Sequence, residues 1–243
     1  MAAKPALSVI ISCFNEEESI GECLRRTMQA VPDAEILVIH GGSDKTADIA
    51  EEMARGNPKI TVIRNLDDRG KGHAIKVGIR RSSADVMVQF DADLQFMPEE
   101  IPKVVRPILA GEADFSFGAR FMKESDVERY DFSFFRVMGN RIVNRYVNLL
   151  TRQRFCDITT GFKAWTRDAI ESVAFKDDRF IYEAEIAVRA GLAGRRFAMV
   201  PITYFNRYGG ISGHGRGWKE PVSIIWTGVK ILIFSTLIRL SLW

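Results

Sequence analysis

Four short apolar runs, rich in Val and Ile, recur along the first hundred residues. Their length and β-branched residues predict buried strands at residues 7–13, 35–40, 59–64 and 85–90. The intervening segments predict helices that end near residue 30 and that span residues 46–55 and 73–81. Strands and helices that alternate in this way are typical of right-handed βαβ units. We therefore expect an α/β fold with a mostly parallel central sheet and helices on both faces.

The chain after residue 100 has a less regular pattern. It predicts strands at residues 113–118 and 160–165 and a basic amphipathic helix at residues 134–150. No internal repeat and no low-complexity linker separates this part from the first. We therefore expect one folded domain over residues 1–221.

The C-terminal segment, residues 222–243, is strongly apolar, and Lys230 and Arg239 are its only charged residues. A membrane span needs about 20 apolar residues, so the segment is just long enough. A Lys or Arg near the centre of a span costs about 2.5–3.5 kcal/mol on insertion scales. The sequence therefore favours an apolar helical tail that lies in or against a membrane interface over a true span.

Composition narrows the class of protein. Of the 243 residues, 47% are apolar and 27% are charged, which is typical of a folded domain. The net charge of +3 gives no indication of nucleic-acid binding. Three cysteines without metal or redox spacing favour a reducing compartment, and the N-terminal residues lack the pattern of a signal peptide.

Candidate chemistry follows two of the predicted strands. Asp91 and Asp93 come at the end of the fourth strand, and two such carboxylates can hold a divalent cation that bridges a diphosphate. Glycines flank Lys71 at the start of a predicted helix, an arrangement that suits a diphosphate. Either pattern alone is common by chance. Their position beyond the carboxyl ends of parallel strands, where ligands bind in such sheets, favours a functional role.

The order of motifs along nearly the whole chain resembles glycosyltransferase family two, and within it the polyprenyl-phosphate glycosyltransferases that include dolichyl-phosphate mannose synthases. The matching segments are residues 9–17, 42–46, 70–74, 90–95, 117–120, 157–163 and 207–212. The resemblance implies a nucleotide-sugar-binding fold of the GT-A type and an inverting transfer of a hexose from GDP-mannose or a UDP-sugar. It implies a polyprenyl or dolichyl phosphate acceptor, Mg²⁺ or Mn²⁺ as cofactor, and a place at the cytoplasmic face of a membrane.

The resemblance also implies roles on the donor side of the site. These are metal binding by Asp93 and Gln95, with Asp91 beside the nucleotide or the metal. They also include a nucleoside pocket lined by Asn15 and Glu17, and contact with the diphosphate by Lys71.

On the acceptor side, the resemblance implies that Arg120 and Arg136 receive the acceptor phosphate, together with Asn140 where the family commonly has a serine. Arg207 and Ser212 would belong to a mobile loop that closes over the phosphates. Arginine suits this task because its planar guanidinium pairs with phosphate oxygens through two hydrogen bonds.

The chain departs from the family pattern after the second strand. The family usually has two acidic residues before Gly-Ser, whereas this chain has His40 and Gly41. The choice between guanine and uracil donors therefore stays open. Lys163 also stands where an arginine is common.

Three functional interpretations remain open from the sequence. In the first, the acceptor phosphate is itself the nucleophile and needs no protein base. In the second, Glu183 or Glu185 deprotonates a sugar or lipid hydroxyl. In the third, the chain is a non-catalytic phosphate-binding membrane module.

The predicted helix at residues 134–150 and its flank carry a strip of arginines that could face anionic headgroups or lie on a solvated helix face: Arg136, Arg141, Arg145 and Arg152.

Overall fold

A seven-stranded sheet forms the centre of the fold. The structure is a computed structural model and describes residues 5–127, 134–208 and 219–241. In chain order the strands are β1 (Leu7–Cys13), β2 (Glu35–His40), β3 (Ile60–Arg64), β4 (Val86–Asp91), β5 (Phe115–Ala119), β6 (Lys163–Thr166) and β7 (Phe197–Pro201). Their order across the sheet is β3-β2-β1-β4-β6-β5-β7.

Helices connect the strands and cover the sheet. They are α1 (Ile20–Ala30), α2 (Thr46–Ala54), α3 (Lys71–Arg81), α4 (Ile101–Leu109), α5 (Phe134–Thr151), α6 (Arg167–Val173), α7 (Tyr182–Leu192) and α8 (Lys219–Arg239). A 3₁₀ turn, Pro98–Glu100, leads into α4. The α/β class is therefore confirmed, and most predicted boundaries lie within two residues of the observed ones.

The strands β3, β2, β1 and β4 pair in parallel, as do β5 and β7. Strand β6 pairs antiparallel with both β4 and β5, so it is the one reversed strand among the seven described. The mostly parallel sheet is thus confirmed. The reversal of β6 was not predicted. It places the start of β6, rather than its end, at the edge of the sheet where β4 ends.

Both faces of β1 are covered, which explains why residues 9–11 at its centre are all apolar rather than alternating with polar ones. Val9 and Ile11 belong to one buried cluster, whereas Ile10 belongs to the cluster on the opposite face. On that face α3 approaches very closely: a Cβ on Gly78 would lie 2.3 Å from the Cγ2 atom of Ile10. The glycine therefore allows α3 to sit directly on the sheet and sets where its first residue, Lys71, is placed.

The C-terminal helix α8 packs against α5 and α7. Ile231 and Ile238 of α8 are buried in the same apolar cluster as Val143 and Val147 of α5. Most of α8 is nevertheless open: only 17% of the segment Val222–Arg239 is buried. By length and by its mean hydropathy of 1.6, this segment is able to cross a membrane.

Candidate active site

A cavity of about 520 Å³ lies beyond the carboxyl ends of β1 to β4. The loops that follow β1, β3 and β4 line it, together with Glu183 of α7 and the segment after β7. The charged residues of its wall include Glu16, Asp68, Lys71, Asp91, Asp93 and Arg207. The loops in which the sequence placed candidate chemistry thus meet in one cavity.

A lysine lies between two carboxylates at the centre of this cavity. The Nζ atom of Lys71, the first residue of α3, is 2.9 Å from Asp91 and 3.0 Å from Glu183. Gly161 passes over the pair so closely that a Cβ there would lie 2.2 Å from Asp91 Oδ2 and 2.7 Å from Lys71 Nζ. Only a glycine at position 161 leaves room for this ion pair.

Burial shifts the pKa values of these groups. It raises the pKa of Asp93 to about 7, and the neighbouring charge of Asp91 adds to the effect. Burial also raises the pKa of Asp91, while the charge of Lys71 opposes the rise. For Lys71, burial alone would lower the pKa, but the charges of Asp91 and Glu183 outweigh it and raise that pKa well above its usual range. In this buried group, the three carboxyl groups of Asp91, Asp93 and Glu183 therefore surround a single positive charge, that of Lys71.

Asp91 and Asp93 are suited to Mg²⁺ or Mn²⁺. Within the described ranges, no group of three or more His, Cys, Asp or Glu side chains is arranged to hold a metal ion. Two carboxylates are nevertheless the usual protein contribution to a magnesium site that is completed by substrate phosphates and water. The raised pKa values of both carboxyl groups show that additional positive charge would stabilise their ionised forms. The residues present therefore fit a divalent cation.

The segment after β7 reaches back to the loop that follows β4. The backbone N–H of Phe205 donates to the carbonyl oxygen of Gln95 (2.9 Å), and the Gln95 amide donates to the Phe205 carbonyl oxygen (3.3 Å). This pairing brings Arg207 into an ion pair with Glu16 and to 3.8 Å from Asp93. The predicted partner of Arg207, Ser212, lies outside the described residues.

Asn15 and Glu17 bind the loop between β2 and α2. The Asn15 side chain accepts a hydrogen bond from the backbone N–H of Ser43 (2.9 Å). The Glu17 carboxylate accepts one from the backbone N–H of Lys45 (3.0 Å). Asn15 itself has a left-handed backbone conformation, with φ of 56°. Of the three neighbouring residues, Glu16 is the one that lines the cavity. The proposed nucleoside contacts of Asn15 and Glu17 remain predictions.

A buried polar network holds Arg120 at the side of the cavity. Its guanidinium donates to both carboxylate oxygens of Asp157, at 2.7 and 2.8 Å, and to the hydroxyl of Thr159 at 3.2 Å. Asn140 of α5 donates to the same two partners, at 3.1 and 3.0 Å. The Arg120 guanidinium also lies 5.3 Å from the ring centroid of Tyr204. Arg120 and Asn140, both predicted site residues, are therefore fixed side by side by one carboxylate.

A second, smaller cavity of about 130 Å³ adjoins the first. The two cavities share five residues: Arg120, Arg136, Thr159, Phe180 and Glu183. The remaining wall of the smaller cavity comes from α5 and α8, including Asn140, Ile224 and Ile231. The polar site thus continues into the space between the amphipathic helix α5 and the apolar helix α8.

The two glutamates of α7 have different surroundings. Glu183 lines both cavities and contacts Lys71. Glu185 is 2% exposed and accepts hydrogen bonds from the backbone N–H groups of Lys176 and Asp177, and from Arg189. Glu185 therefore holds the loop before α7 in place. Of the two candidate bases, only Glu183 faces the cavity.

Sequence reasoning gave no role to Glu16, Asp68, Asp157 or Gly161, all of which contribute to the site. Glu16 lies in a run of three glutamates, and nothing in the run distinguishes the one that points inward. Asp157 and Gly161 lie in a segment that did match the family pattern. The signal was therefore present for these two, but their partners were not visible from it.

Known proteins resemble this chain over most of its length. Residues 8–174 match the model of glycosyl transferase family 2. The polyprenol monophosphomannose synthase of Mycolicibacterium smegmatis is 30% identical over 84% of this chain and 79% of its own length. The dolichol-phosphate mannosyltransferase of Pyrococcus furiosus is 31% identical over 82% of this chain, which spans 56% of that longer protein.

Solved structures show the same fold. The glucosyl-3-phosphoglycerate synthase of Mycobacterium tuberculosis, solved with Mn²⁺, UDP and glucosyl-3-phosphoglycerate, superposes on 97% of this chain and 80% of its own with a TM-score of 0.68. Its sequence identity is 20%, so the likeness concerns the fold. The family match over residues 8–174 and the long alignments with relatives lead to one conclusion: this chain belongs to glycosyl transferase family 2 and is a glycosyltransferase.

Proposed function

We propose that this enzyme transfers a hexose, with inversion, from GDP-mannose or a UDP-sugar to a polyprenyl or dolichyl phosphate at the cytoplasmic face of a membrane. The observation that carries the proposal is the continuity of the two cavities through Arg120 and Arg136. One cavity holds the carboxylates and lysine suited to a diphosphate and its cation. The other opens between two helices with exposed apolar side chains. The names of the Mycolicibacterium and Pyrococcus relatives support the same acceptor class.

An apolar surface on α5 and α8, the two helices that contribute to the smaller cavity, suits a lipid-borne acceptor. On α5 its exposed members are Phe134, Phe135, Met138, Ile142 and Leu149, and on α8 they are Val222, Ile225, Trp226, Val229 and Ile233. We call these ten residues the apolar face. Contiguous exposed apolar surfaces of this kind mark interaction sites with membranes or proteins. Exposed Arg141 and Arg145 on the same helix α5 complement anionic headgroups.

The charges of the site and of the acceptor phosphate suit this reaction. A phosphate monoester has its second pKa at about 6, so it is largely a dianion near pH 7 and can attack without a protein base. Arg120 and Arg136 are placed to hold that dianion at the junction of the cavities. A cation held by Asp91 and Asp93 would supply positive charge to the diphosphate leaving group. Arg207, 3.8 Å from Asp93, adds a positive charge on the same side.

The membrane-associating tail, residues 222–243, is part of this proposal. Because Ile231 and Ile238 are buried against the domain over residues 1–221, we propose that α8 lies along the interface while remaining packed on α5. A helix held to the domain in this way would place the junction of the cavities near the headgroups, where an acceptor phosphate is found.

The test is a donor-by-acceptor screen. GDP-mannose, UDP-glucose and UDP-N-acetylglucosamine are each incubated with a polyprenyl phosphate, with Mg²⁺, with Mn²⁺ or with a chelator. We expect a metal-dependent polyprenyl-phosphate sugar with at least one donor. The variant Asp93→Ala should abolish it, whereas Asp33→Ala, whose side chain is 99% exposed, should not.

An acceptor-side pair of variants sharpens the screen. Arg136→Met should raise the KM for polyprenyl phosphate and leave the KM for the donor unchanged. Arg106→Met, an exposed arginine on α4, serves as the control. Transfer to hydroxyl acceptors with none to the lipid phosphate would instead identify Glu183 as a base, since it lines both cavities. Absence of turnover with every donor would favour the binding module.

A further inference from the structure

The carboxyl group of Asp68 lies directly against Gly41. A Cβ built on Gly41 would be 2.4 Å from Asp68 Cγ and 2.6 Å from its Oδ2 atom. Any side chain at position 41 would therefore displace the Asp68 carboxylate. The glycine after β2 lets a carboxylate from the loop after β3 occupy the place where a side chain of residue 41 would begin.

This carboxylate is held at one oxygen. Asp68 Oδ1 accepts hydrogen bonds from the side-chain amide of Asn65 (2.9 Å) and from the backbone N–H of Gly70 (3.4 Å). Among the described residues, Oδ2 has no hydrogen-bond donor. Asp68 therefore presents one fixed carboxylate oxygen, and a carboxylate oxygen can only accept hydrogen bonds.

Asp68 lines the main cavity on the side of β3, away from the lysine–carboxylate group and from the junction with the smaller cavity. The ends of β1, β2 and β3 are adjacent, because the Gly41 N–H donates to the Cys13 carbonyl oxygen (3.1 Å) and the Asn65 N–H donates to the His40 carbonyl oxygen (2.8 Å). The lysine–carboxylate group lies at β4, and the junction with the smaller cavity lies beyond it. If the donor diphosphate binds at β4, its nucleoside extends toward β1 to β3.

An exposed aromatic side chain stands beside this end. Phe14, the residue after β1, is 62% exposed and lines the same cavity as Asp68. A flat aromatic ring at the mouth and a fixed acceptor in the wall are the two elements by which proteins bind a nucleobase, through stacking and through hydrogen bonds to its polar edge.

We propose that Asp68 determines the base specificity of the donor by accepting a hydrogen bond from the ring N–H of uracil or guanine. Both bases carry an N–H donor at that ring position, whereas cytosine and adenine present a lone pair that a carboxylate repels. The inference rests on the proposed nucleotide-sugar donor and goes beyond it. It assigns recognition of the base to the loop after β3. This loop lies against Gly41, one of the two residues at which the chain departs from the family pattern.

The experiment measures nucleotide binding rather than transfer. Titration calorimetry with UDP, GDP, CDP and ADP in the presence of Mn²⁺ should give a dissociation constant for UDP or GDP at least about tenfold lower than for CDP and ADP. Asp68→Asn should reduce this preference about tenfold, because the asparagine side chain can rotate so that its NH2 group donates a hydrogen bond to the base. Asp67→Asn is the matched control. Asp67 is adjacent to Asp68 in the chain, its side chain is 88% exposed, and its carboxylate lies 3.8 Å from Arg69.

The outcomes separate the inference from the proposed function. Loss of preference in Asp68→Asn alone supports it, and the tighter of UDP and GDP then names the base. Equal weakening of all four nucleotides would overturn it, since that is the effect of a purely structural residue. An unchanged preference would also overturn it, while leaving the donor class intact. If none of the four nucleotides binds the wild-type protein, the inference fails together with the proposed donor.

Discussion

Replacing Asp157 by asparagine tests whether one buried carboxylate holds the acceptor side of the site together. The Asp157 side chain is fully buried and that of Arg120 is 10% exposed. Four donors converge on this carboxylate: two from the Arg120 guanidinium, the backbone N–H of Arg120 at 3.0 Å, and the amide of Asn140. Asp157→Asn keeps the shape but leaves the guanidinium, which stays protonated, without its counter-charge.

The expected loss of stability is large for a single isosteric change. Removing one partner of a buried ion pair costs about 3–5 kcal/mol, because the remaining charge is buried without compensation. For a domain of this size each kcal/mol corresponds to about 2–4 °C, so the midpoint of thermal unfolding should fall by about 6–20 °C. The control is Asp168→Asn: Asp168 is 84% exposed and pairs with Arg195 at 2.9 Å, so its loss should cost about 0–1 kcal/mol.

Urea unfolding followed by circular dichroism measures both variants, and a double variant separates charge from packing. In Arg120→Met/Asp157→Leu no charge is left buried, so much of the stability should return. The reasoning is refuted if Asp157→Asn costs no more than Asp168→Asn. It is also refuted if the double variant is less stable than the single one by more than the two changes in packing explain.

Three further predictions concern the site, the core and the surface. Gly161→Ala should reduce kcat/KM about 100-fold with the fold intact, because its methyl group separates the central lysine–carboxylate pair, whereas Gly56→Ala, which faces open space, should have no effect. Burial lowers the pKa of Lys163 to about 8, so between about pH 8 and 10 the unfolded chain binds more protons than the folded one. Stability should therefore rise with pH in that window by up to about 1.4 kcal/mol per unit, and urea unfolding of Lys163→Met should lack this slope. Trp226→Glu on the apolar face should weaken sedimentation with anionic liposomes, while Leu109→Glu, equally exposed on α4, should leave it unchanged.

The strands and helices of the first half of the fold could be predicted because short stretches of sequence determine them. Runs such as Leu7–Cys13 and Glu35–His40 have uninterrupted apolar centres, and both were predicted to the residue. Parallel strands linked by helices bring their carboxyl ends to one edge. For this reason the sequence predicted that Lys71 and the Asp91 loop would share a site, although they lie 20 residues apart.

The second half depended on contacts between distant residues. No local pattern reveals that β6 runs against its neighbours, because strand direction is decided by pairing. The ion pair of Glu16 with Arg207 joins the first strand to the segment after the last one. Likewise, the family resemblance singled out Arg120 but gave no indication that Asp157 holds it, since nothing local links the two positions.

The reversed strand β6 divides the sheet into two parts that have different tasks in the proposed reaction. In the proposed reaction the four parallel strands β3-β2-β1-β4 serve the donor, while β6, β5, β7 and the pair α5–α8 serve the acceptor. The fold neighbour from Mycobacterium tuberculosis, solved with glucosyl-3-phosphoglycerate, shares this fold at only 20% identity. An enzyme built in this way can acquire a new acceptor through changes in α5 and α8, provided that Gly161, Glu183 and Arg207 keep their contacts with the lysine–carboxylate group and Asp93.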